Sequence, residues 1–111
     1  MHYIVTFYMI SDSPYVSAGC WKDSLPRAIP SIEGRHPALD GHYKSRQNAV
    51  KKCYQAAVNL GYSVFAIQDG GQCFSSLGAG DGFTKYGVSE KCLGDGKGGP
   101  LANQVYTVKR K

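Results

Sequence analysis

The sequence has few acidic residues and none of the short motifs that mark common enzyme classes. Only eight aspartates and glutamates occur in 111 residues, with no D-x-D ladder of the kind that calcium sites use. The chain also has no C-x-x-C pair, no G-K-[ST] and no G-x-S-x-G. These absences argue against zinc ribbons, phosphate-binding P-loops and serine hydrolases. We therefore predict that the protein is not an enzyme and requires no cofactor.

Two segments contain residues of a ligand site without the usual surroundings. His36 and His42 flank Asp40 in HPALDGH. Histidines in a loop are more often solvated than bound to a metal, so we predict no metal site. Residues 94–99, GDGKGG, fit the G-x-G-x-x-G pattern, but no strand precedes them and a proline follows where a helix should begin. We predict a loop there rather than a dinucleotide site.

Long hydrophobic runs are also missing, since no segment is long enough to span a bilayer. Residues 3–10, YIVTFYMI, have the apolar character of a signal-peptide core, yet no Lys or Arg precedes them. We predict a sheet strand here that pairs with the last strand of the chain. A remnant of an export signal is the alternative.

A helix, a buried strand and a hairpin are predicted in the middle of the chain. Apolar residues recur at three- and four-residue intervals up to Leu60, which indicates an amphipathic helix of about four turns. Ser45 is its predicted N-cap and Gly61 its left-handed terminator. Residues 63–68, SVFAIQ, predict a strand covered on both faces, and residues 69–71, DGG, predict a tight turn into a returning strand, CFSS.

Four cysteines, Cys20, Cys53, Cys73 and Cys92, allow three disulfide pairings. Cys53 lies inside the predicted helix and Cys73 just past the hairpin turn, so a bond between them would staple helix to sheet. That pairing leaves Cys20 to bond Cys92. Each bond would contribute roughly 3 to 4.5 kcal/mol by the loop-entropy argument. Such disulfides indicate a secreted, extracellular protein, and four reduced core thiols in a cytosolic protein are the alternative.

These segments together predict an α+β fold in which one main helix packs on a small, mostly antiparallel β-sheet stabilised by disulfides. With 111 residues and 42% apolar content, the chain is predicted to form one domain. Residues 1–18 are a predicted N-terminal strand and linker, 19–108 the core and 109–111 a basic tail. The segment QVYTVK is the predicted last strand, and residues 78–82 are a predicted glycine-rich loop. Nothing at heptad spacing suggests a coiled coil, so we expect a monomer.

Several of these segments together resemble the WSC domain, a secreted cysteine-rich module. The resemblance rests on GCWKD from Gly19 onward, RAIP, the helical Cys53, the block GYSVFAIQDGGQC and the closing ANQVYTV. WSC domains usually carry eight cysteines, so this chain resembles a reduced, four-cysteine form. The resemblance implies the PAN/apple-related architecture, a helix cradled by a curved antiparallel sheet and cross-linked by disulfides. It also implies extracellular attachment, often to polysaccharide or cell-wall glycan.

A carbohydrate site needs an exposed aromatic ring for the apolar face of a sugar, and amide or carboxylate groups for its hydroxyls. We predict such a site from five residues, namely Trp21, Asp40, Tyr43, Asp69 and Gln72. Further candidates are Tyr62, Tyr86, Asp23 and Gln68. The alternative is that the aromatic side chains pack inside the protein, as we predict for Phe65 and Phe74, and that Trp21 belongs to the core beside a disulfide.

Positive charge suggests a second class of ligand. The net charge is +5, and no acidic residue occurs between residues 41 and 68. A face for anionic surfaces, as in a host-defence or matrix-associated protein, is predicted from Lys44, Arg46, Lys51 and Lys52. The alternative is a merely solvated side of the helix. No basic groove flanked by aromatic residues and no known motif points to nucleic acid. A module that binds another protein is the third hypothesis.

Overall fold

The structure is a computed structural model that describes residues 13–109. Its strands are β1 (Tyr15–Lys22), β2 (Val64–Gln68), β3 (Gln72–Ser75) and β4 (Ala102–Val108), and its α-helices are α1 (Ala49–Asn59) and α2 (Ala79–Gly82). Two short 3-10 turns span Pro37–Leu39 and Tyr43–Ser45. This architecture confirms the predicted α+β fold. The strand predicted at residues 3–10 lies outside the described residues.

The four strands form one antiparallel sheet in the order β1-β4-β2-β3. Strand β1 was not predicted, because the prediction for residues 1–18 was a strand at positions 3–10 followed by a linker. Its small residues give no alternating pattern, and its pairing with β4 is interrupted by a register shift between Ser17 and Gly19. A strand of this composition forms because β4 offers a partner, rather than because of its own propensity.

Helix α1 begins later than predicted and ends where predicted. Its first residue is Ala49, because Ser45 belongs to a separate 3-10 turn and Asn48 adopts a left-handed backbone with φ 54°. Ser45 is therefore not its N-cap. At the other end Gly61 has φ 90°, and its N–H donates to the Val58 carbonyl at 3.0 Å. This geometry confirms Gly61 as the terminator of the helix.

The β2–β3 hairpin has the predicted form. All five residues of β2 are buried, as expected for a strand covered on both faces. Asp69 and Gly70 take positive φ values of 52° and 91° in the turn. Gly71 is needed for a different reason, since a Cβ atom there would lie 2.3 Å from the Tyr43 carbonyl oxygen. The loop that precedes α1, residues 31–45, therefore lies directly against the hairpin.

Apolar residues fill both sides of the sheet. Helix α1 covers one side, where the buried cluster includes Cys53, Phe65, Ile67 and Tyr106. The other side is covered by irregular segments and by the short helix α2, and its cluster includes Ile29, Ala66, Phe74 and Val105. The prediction of a loop at residues 78–82 was wrong, because Ala79 is buried against this second cluster and the segment forms the short helix α2.

Both predicted disulfides are present. Cys53 and Cys73 join α1 to β3, with Cα atoms 5.5 Å apart and both residues fully buried. Cys20 and Cys92 join β1 to the segment before residues 94–99, with Cα atoms 6.0 Å apart, and this bond is partly exposed. The first bond staples the helix to the hairpin, as predicted.

Candidate functional site

Two histidines shape the loop that packs on the hairpin. The Nδ1 atom of His36 accepts a hydrogen bond from the Ala38 N–H at 3.0 Å, and the Nδ1 atom of His42 accepts one from the Lys44 N–H at 3.1 Å. Side chains that bond nearby backbone in this way fix the local turn. Residues 13–109 contain no group of three or more side chains able to hold a metal ion. In the described structure, the histidines of HPALDGH thus begin two 3-10 turns.

Arg46 ties this loop to the hairpin. Its guanidinium contacts both carboxylate oxygens of Glu33, at 2.7 and 2.8 Å. It also donates to the carbonyls of Leu39 at 2.6 Å and Gly71 at 2.9 Å. Glu33 in turn accepts the Cys73 N–H at 2.8 Å. The Arg46–Glu33 ion pair therefore joins the loop to the turn between β2 and β3, through Gly71, and to β3 itself, through Cys73.

The burial of Arg46 corrects the prediction that it belongs to a face for anionic surfaces. The residue is only 8% exposed, and its Nη1 and Nη2 atoms donate to a carboxylate and to backbone carbonyls, whereas its buried Nε–H has no partner among residues 13–109. A buried guanidinium must find such acceptors inside the protein, because an unpaired charge there is costly. In the sequence Arg46 stands among lysines of the same charge, and nothing there marks Glu33, 13 positions earlier, as its partner.

Tyr43, Lys44 and Asp69 meet beside the hairpin turn, and we call this group the Tyr43 corner. The Tyr43 hydroxyl donates to Asp69 Oδ2 at 3.1 Å, and the Lys44 ammonium lies 3.5 Å from the same oxygen. The His42 ring stacks on the Tyr43 ring, with centroids 4.8 Å apart and planes at 20°. The hydrogen bond to Asp69 raises the pKa of Tyr43 above its ordinary value of 10.0, because a phenolate there would meet a carboxylate. The ring is thus held by a hydrogen bond and by stacking.

The other residues of the predicted carbohydrate site are more dispersed. Gln72 begins β3 on the same hairpin as Asp69, and Asp40 is exposed in the same loop as Tyr43. Trp21 lies in β1, at the opposite edge of the sheet from β3. Its Nε1–H donates to the Ala18 carbonyl at 2.9 Å, and its ring meets another aromatic ring edge-on. The structure therefore brings Tyr43 and Asp69 together and leaves Trp21 apart from them.

Asp23 and Gln68, two of the further candidates, bond each other inside the protein. The Gln68 Nε2 atom donates to Asp23 Oδ2 at 2.8 Å and to Asn103 Oδ1 at 2.9 Å. Arg27 donates to the same Asp23 oxygen at 2.9 Å. Burial raises the pKa of Asp23, but hydrogen bonds from the Ala28 N–H, Gln68 and Arg27 outweigh it, so the pKa lies below its ordinary value of 3.8. These hydrogen bonds hold residues 23–28 against strand β2, at Gln68, which in turn bonds Asn103 of β4.

Three of the four basic residues predicted for the anionic-surface face remain accessible. Lys44 and Lys51 are exposed and Lys52 is half-buried. A groove of about 280 Å³ lies beside the start of α1. We call it the lysine groove, and it is lined by Tyr15, Asn48, Ala49, Val50, Lys51, Asp95 and Lys97.

Lys97 is a groove residue that sequence reasoning missed, because residues 94–99 were predicted only as a loop. The Asp95 carboxylate accepts the Lys97 N–H at 3.0 Å, which forms a local turn at this position. The sequence signal for this turn is the D-G-K segment itself. It predicts a turn but not that the lysine lines a groove with Lys51, which lies in a helix 46 positions earlier.

No protein-family model matches the sequence, and comparison with curated proteins likewise gives no match. The resemblance to WSC and PAN domains therefore stays a prediction that rests on the motifs. Neither helix in residues 13–109 combines the length and the hydropathy needed to cross a bilayer.

Proposed function

We propose that the protein is an extracellular binding module without catalytic activity, and that it binds carbohydrate at the Tyr43 corner. The observation that carries the proposal is the fixed Tyr43 ring, whose hydroxyl bonds Asp69 and whose face stacks with His42. Because His42 covers one face of this half-buried ring, the CH face of a sugar would pack on the opposite face, which is held in one orientation.

Polar groups stand beside this ring, as sugar hydroxyls require. The side chains of Lys44 and Asp69 are 60% and 35% exposed, so both reach solvent. The two described contacts of the Asp69 carboxylate both use Oδ2. Its Oδ1 can therefore accept a sugar hydroxyl, and the Lys44 ammonium can donate to one.

The support beneath the Tyr43 corner favours binding with little reorganisation. The Arg46–Glu33 pair fixes the loop on the hairpin, and the Cys53–Cys73 bond fixes the hairpin on α1. A site that is already ordered loses less conformational entropy when a ligand binds. The same staple is what a WSC-like module would have, and two disulfides fit an oxidising, extracellular compartment.

Binding to an array of neutral and acidic oligosaccharides, followed by calorimetry on any hit, tests the proposal. We expect Tyr43→Ala to weaken binding about tenfold, because the stacking surface is lost. Tyr43→Phe should have a smaller effect, since the ring remains and only the bond to Asp69 disappears. Tyr86→Phe is a matched control, because the Tyr86 hydroxyl also donates, to the Pro26 carbonyl at 2.5 Å, but away from the corner.

Two results would overturn the proposal. One is a wild-type protein that binds no carbohydrate, which would favour a protein partner. The other is a Tyr43→Ala variant that keeps its circular dichroism spectrum and binds sugar as the wild type does.

A further inference from the structure

We infer that the carbohydrate bound at the Tyr43 corner is acidic, and that its sulfate or carboxylate groups bind in the lysine groove. This inference rests on the proposed function and adds the chemical class of the ligand. It depends on two observations: the corner and the groove adjoin each other, and the groove holds positive charge that no described ion pair neutralises.

The Tyr43 corner and the lysine groove meet at the turn of the β2–β3 hairpin. Asp69 bonds Tyr43, and the next residue, Gly70, donates its N–H to the Lys97 carbonyl at 3.2 Å. Covalent geometry then puts the Tyr43 hydroxyl and the Lys97 carbonyl at most roughly 12 Å apart. Gly71 lies between the two features. A Cβ atom at this position would contact both the Tyr43 carbonyl and the side chain of Ala49, a residue that lines the groove. A short oligosaccharide can therefore reach both.

The charges of the two features differ. At the Tyr43 corner, Lys44 is paired with Asp69, so the two charges offset each other. In the lysine groove, Lys51 and Lys97 take part in none of the ion pairs found among residues 13–109. The groove also holds Asp95, whose carboxylate accepts the Lys97 N–H. The corner therefore suits neutral sugar hydroxyls, whereas the groove retains a net positive charge.

The donors of the lysine groove match an oxyanion. Two ammonium groups come from separate elements, Lys51 from α1 and Lys97 from residues 94–99. Tyr15 and Asn48 line the same groove, and a tyrosine hydroxyl and an asparagine amide are groups that can donate further hydrogen bonds. Sulfate and carboxylate groups accept several such bonds at once, and bonds to a charged acceptor are the stronger kind.

The test compares a sulfated glycosaminoglycan hexasaccharide with a neutral hexasaccharide of similar length, each at low and at moderate salt. The variants are Lys51→Gln with Lys97→Gln, and as a control Lys85→Gln with Lys91→Gln, two exposed lysines outside the groove. We expect the sulfated sugar to bind more tightly, and the advantage to shrink as salt rises. The groove variant should lose about fivefold in affinity for the sulfated sugar and almost none for the neutral one. The control variant should match the wild type.

Each other outcome has a defined meaning. Equal binding of the two sugars, or an unchanged sulfated-sugar affinity in the groove variant, overturns the inference but leaves the proposed function standing. Failure to bind either sugar overturns both. Vesicles of phosphatidylserine and phosphatidylcholine form a separate arm. If the protein binds them in preference to the sulfated sugar, the lysine groove serves an anionic membrane and the inference is wrong.

Discussion

Two arginine–carboxylate pairs hold irregular segments onto the sheet, and they do so in opposite ways. In the Arg46–Glu33 pair the arginine side chain is 1% exposed and the glutamate 23%. In the Arg27–Asp23 pair the arginine is 33% exposed and the aspartate 0%. The first pair buries its cation, and the second buries its anion.

Whether the cation or the anion is buried decides which backbone groups, carbonyls or N–H groups, each pair binds. The buried guanidinium of Arg46 collects carbonyls from the loop and the hairpin, whereas the buried carboxylate of Asp23 collects N–H donors from Ala28 and Gln68. A buried charge needs several partners and takes them from the nearest segment. The Arg46 pair therefore orders the loop that carries Tyr43, and the Asp23 pair orders a segment on the other side of the sheet.

The largest expected effect is the loss of the buried cation. Arg46→Met should lower the free energy of unfolding by about 3 to 5 kcal/mol, because Glu33 and two carbonyls lose their donor. Urea unfolding followed by circular dichroism measures this value. Arg35→Met, at an exposed arginine of the same loop, is the control and should change little. A cost below about 1 kcal/mol for Arg46→Met would show that the loop does not depend on this charge.

The buried anion should matter somewhat less. Asp23→Asn should cost about 1.5 to 3 kcal/mol, since the amide keeps an acceptor but loses the charge that Arg27 and Gln68 bond. Arg27→Gln should cost less, because this arginine is one-third exposed and Asp23 retains its other donors. The same urea titration compares the two variants. If Arg27→Gln proved as costly as Asp23→Asn, the contrast between buried cation and buried anion would fail.

The Asp23 pair should also give stability a pH dependence at low pH. The pKa of Asp23 is lower in the folded protein than its ordinary value of 3.8. Its contribution is therefore fully present above that value and is lost as the pH falls through the folded pKa. We expect the thermal midpoint to fall more steeply below about pH 4 in the wild type than in Asp23→Asn. Parallel curves for the two proteins would contradict this.

The smallest expected effect is a change in the pKa of Tyr43, which should respond to the Arg46–Glu33 pair and not to the Arg27–Asp23 pair. Because Asp69 raises the pKa of Tyr43, weakening the loop anchor should lower that pKa toward 10.0. Glu33→Gln should produce this change, both by loosening the anchor and by removing the Glu33 charge, which also raises the Tyr43 pKa, and Arg27→Gln should not. Spectrophotometric titration, with Tyr43→Phe used to identify the signal, measures it. The reference is Asp69→Asn, which removes the bond directly. An unchanged pKa in Glu33→Gln would mean that the pair does not position Tyr43.

The parts of the fold that were predicted correctly have local signals. Gly61 ends α1, Asp69 and Gly70 form the turn, and the Cys53–Cys73 pairing follows from where the helix and the hairpin lie in the chain. Strand β1 was missed because its small residues carry no pattern of their own, and its partner β4 lies at the other end of the chain.

The candidate site was predicted only in part for the same reason. The hydrogen bond between Tyr43 and Asp69 spans 26 positions in the sequence. Lys51 and Lys97 line the same groove, although one lies in a helix and the other in a distant loop. Arg46 was misplaced because a basic residue looks the same in sequence whether it faces water or lies buried against a glutamate. The sequence shows that aromatic, acidic and basic residues are available for a site. Which of them lie next to each other depends on the fold.

Cys73 links three parts of the molecule at a single residue. Its sulfur is bonded to α1, its main chain belongs to β3, and its N–H is accepted by Glu33. A displacement of the helix would therefore be passed on to the loop that carries Tyr43 through one amino acid. A substitution at the rim of this surface would leave that joint intact, whereas a substitution at Cys73 would disturb all three parts together.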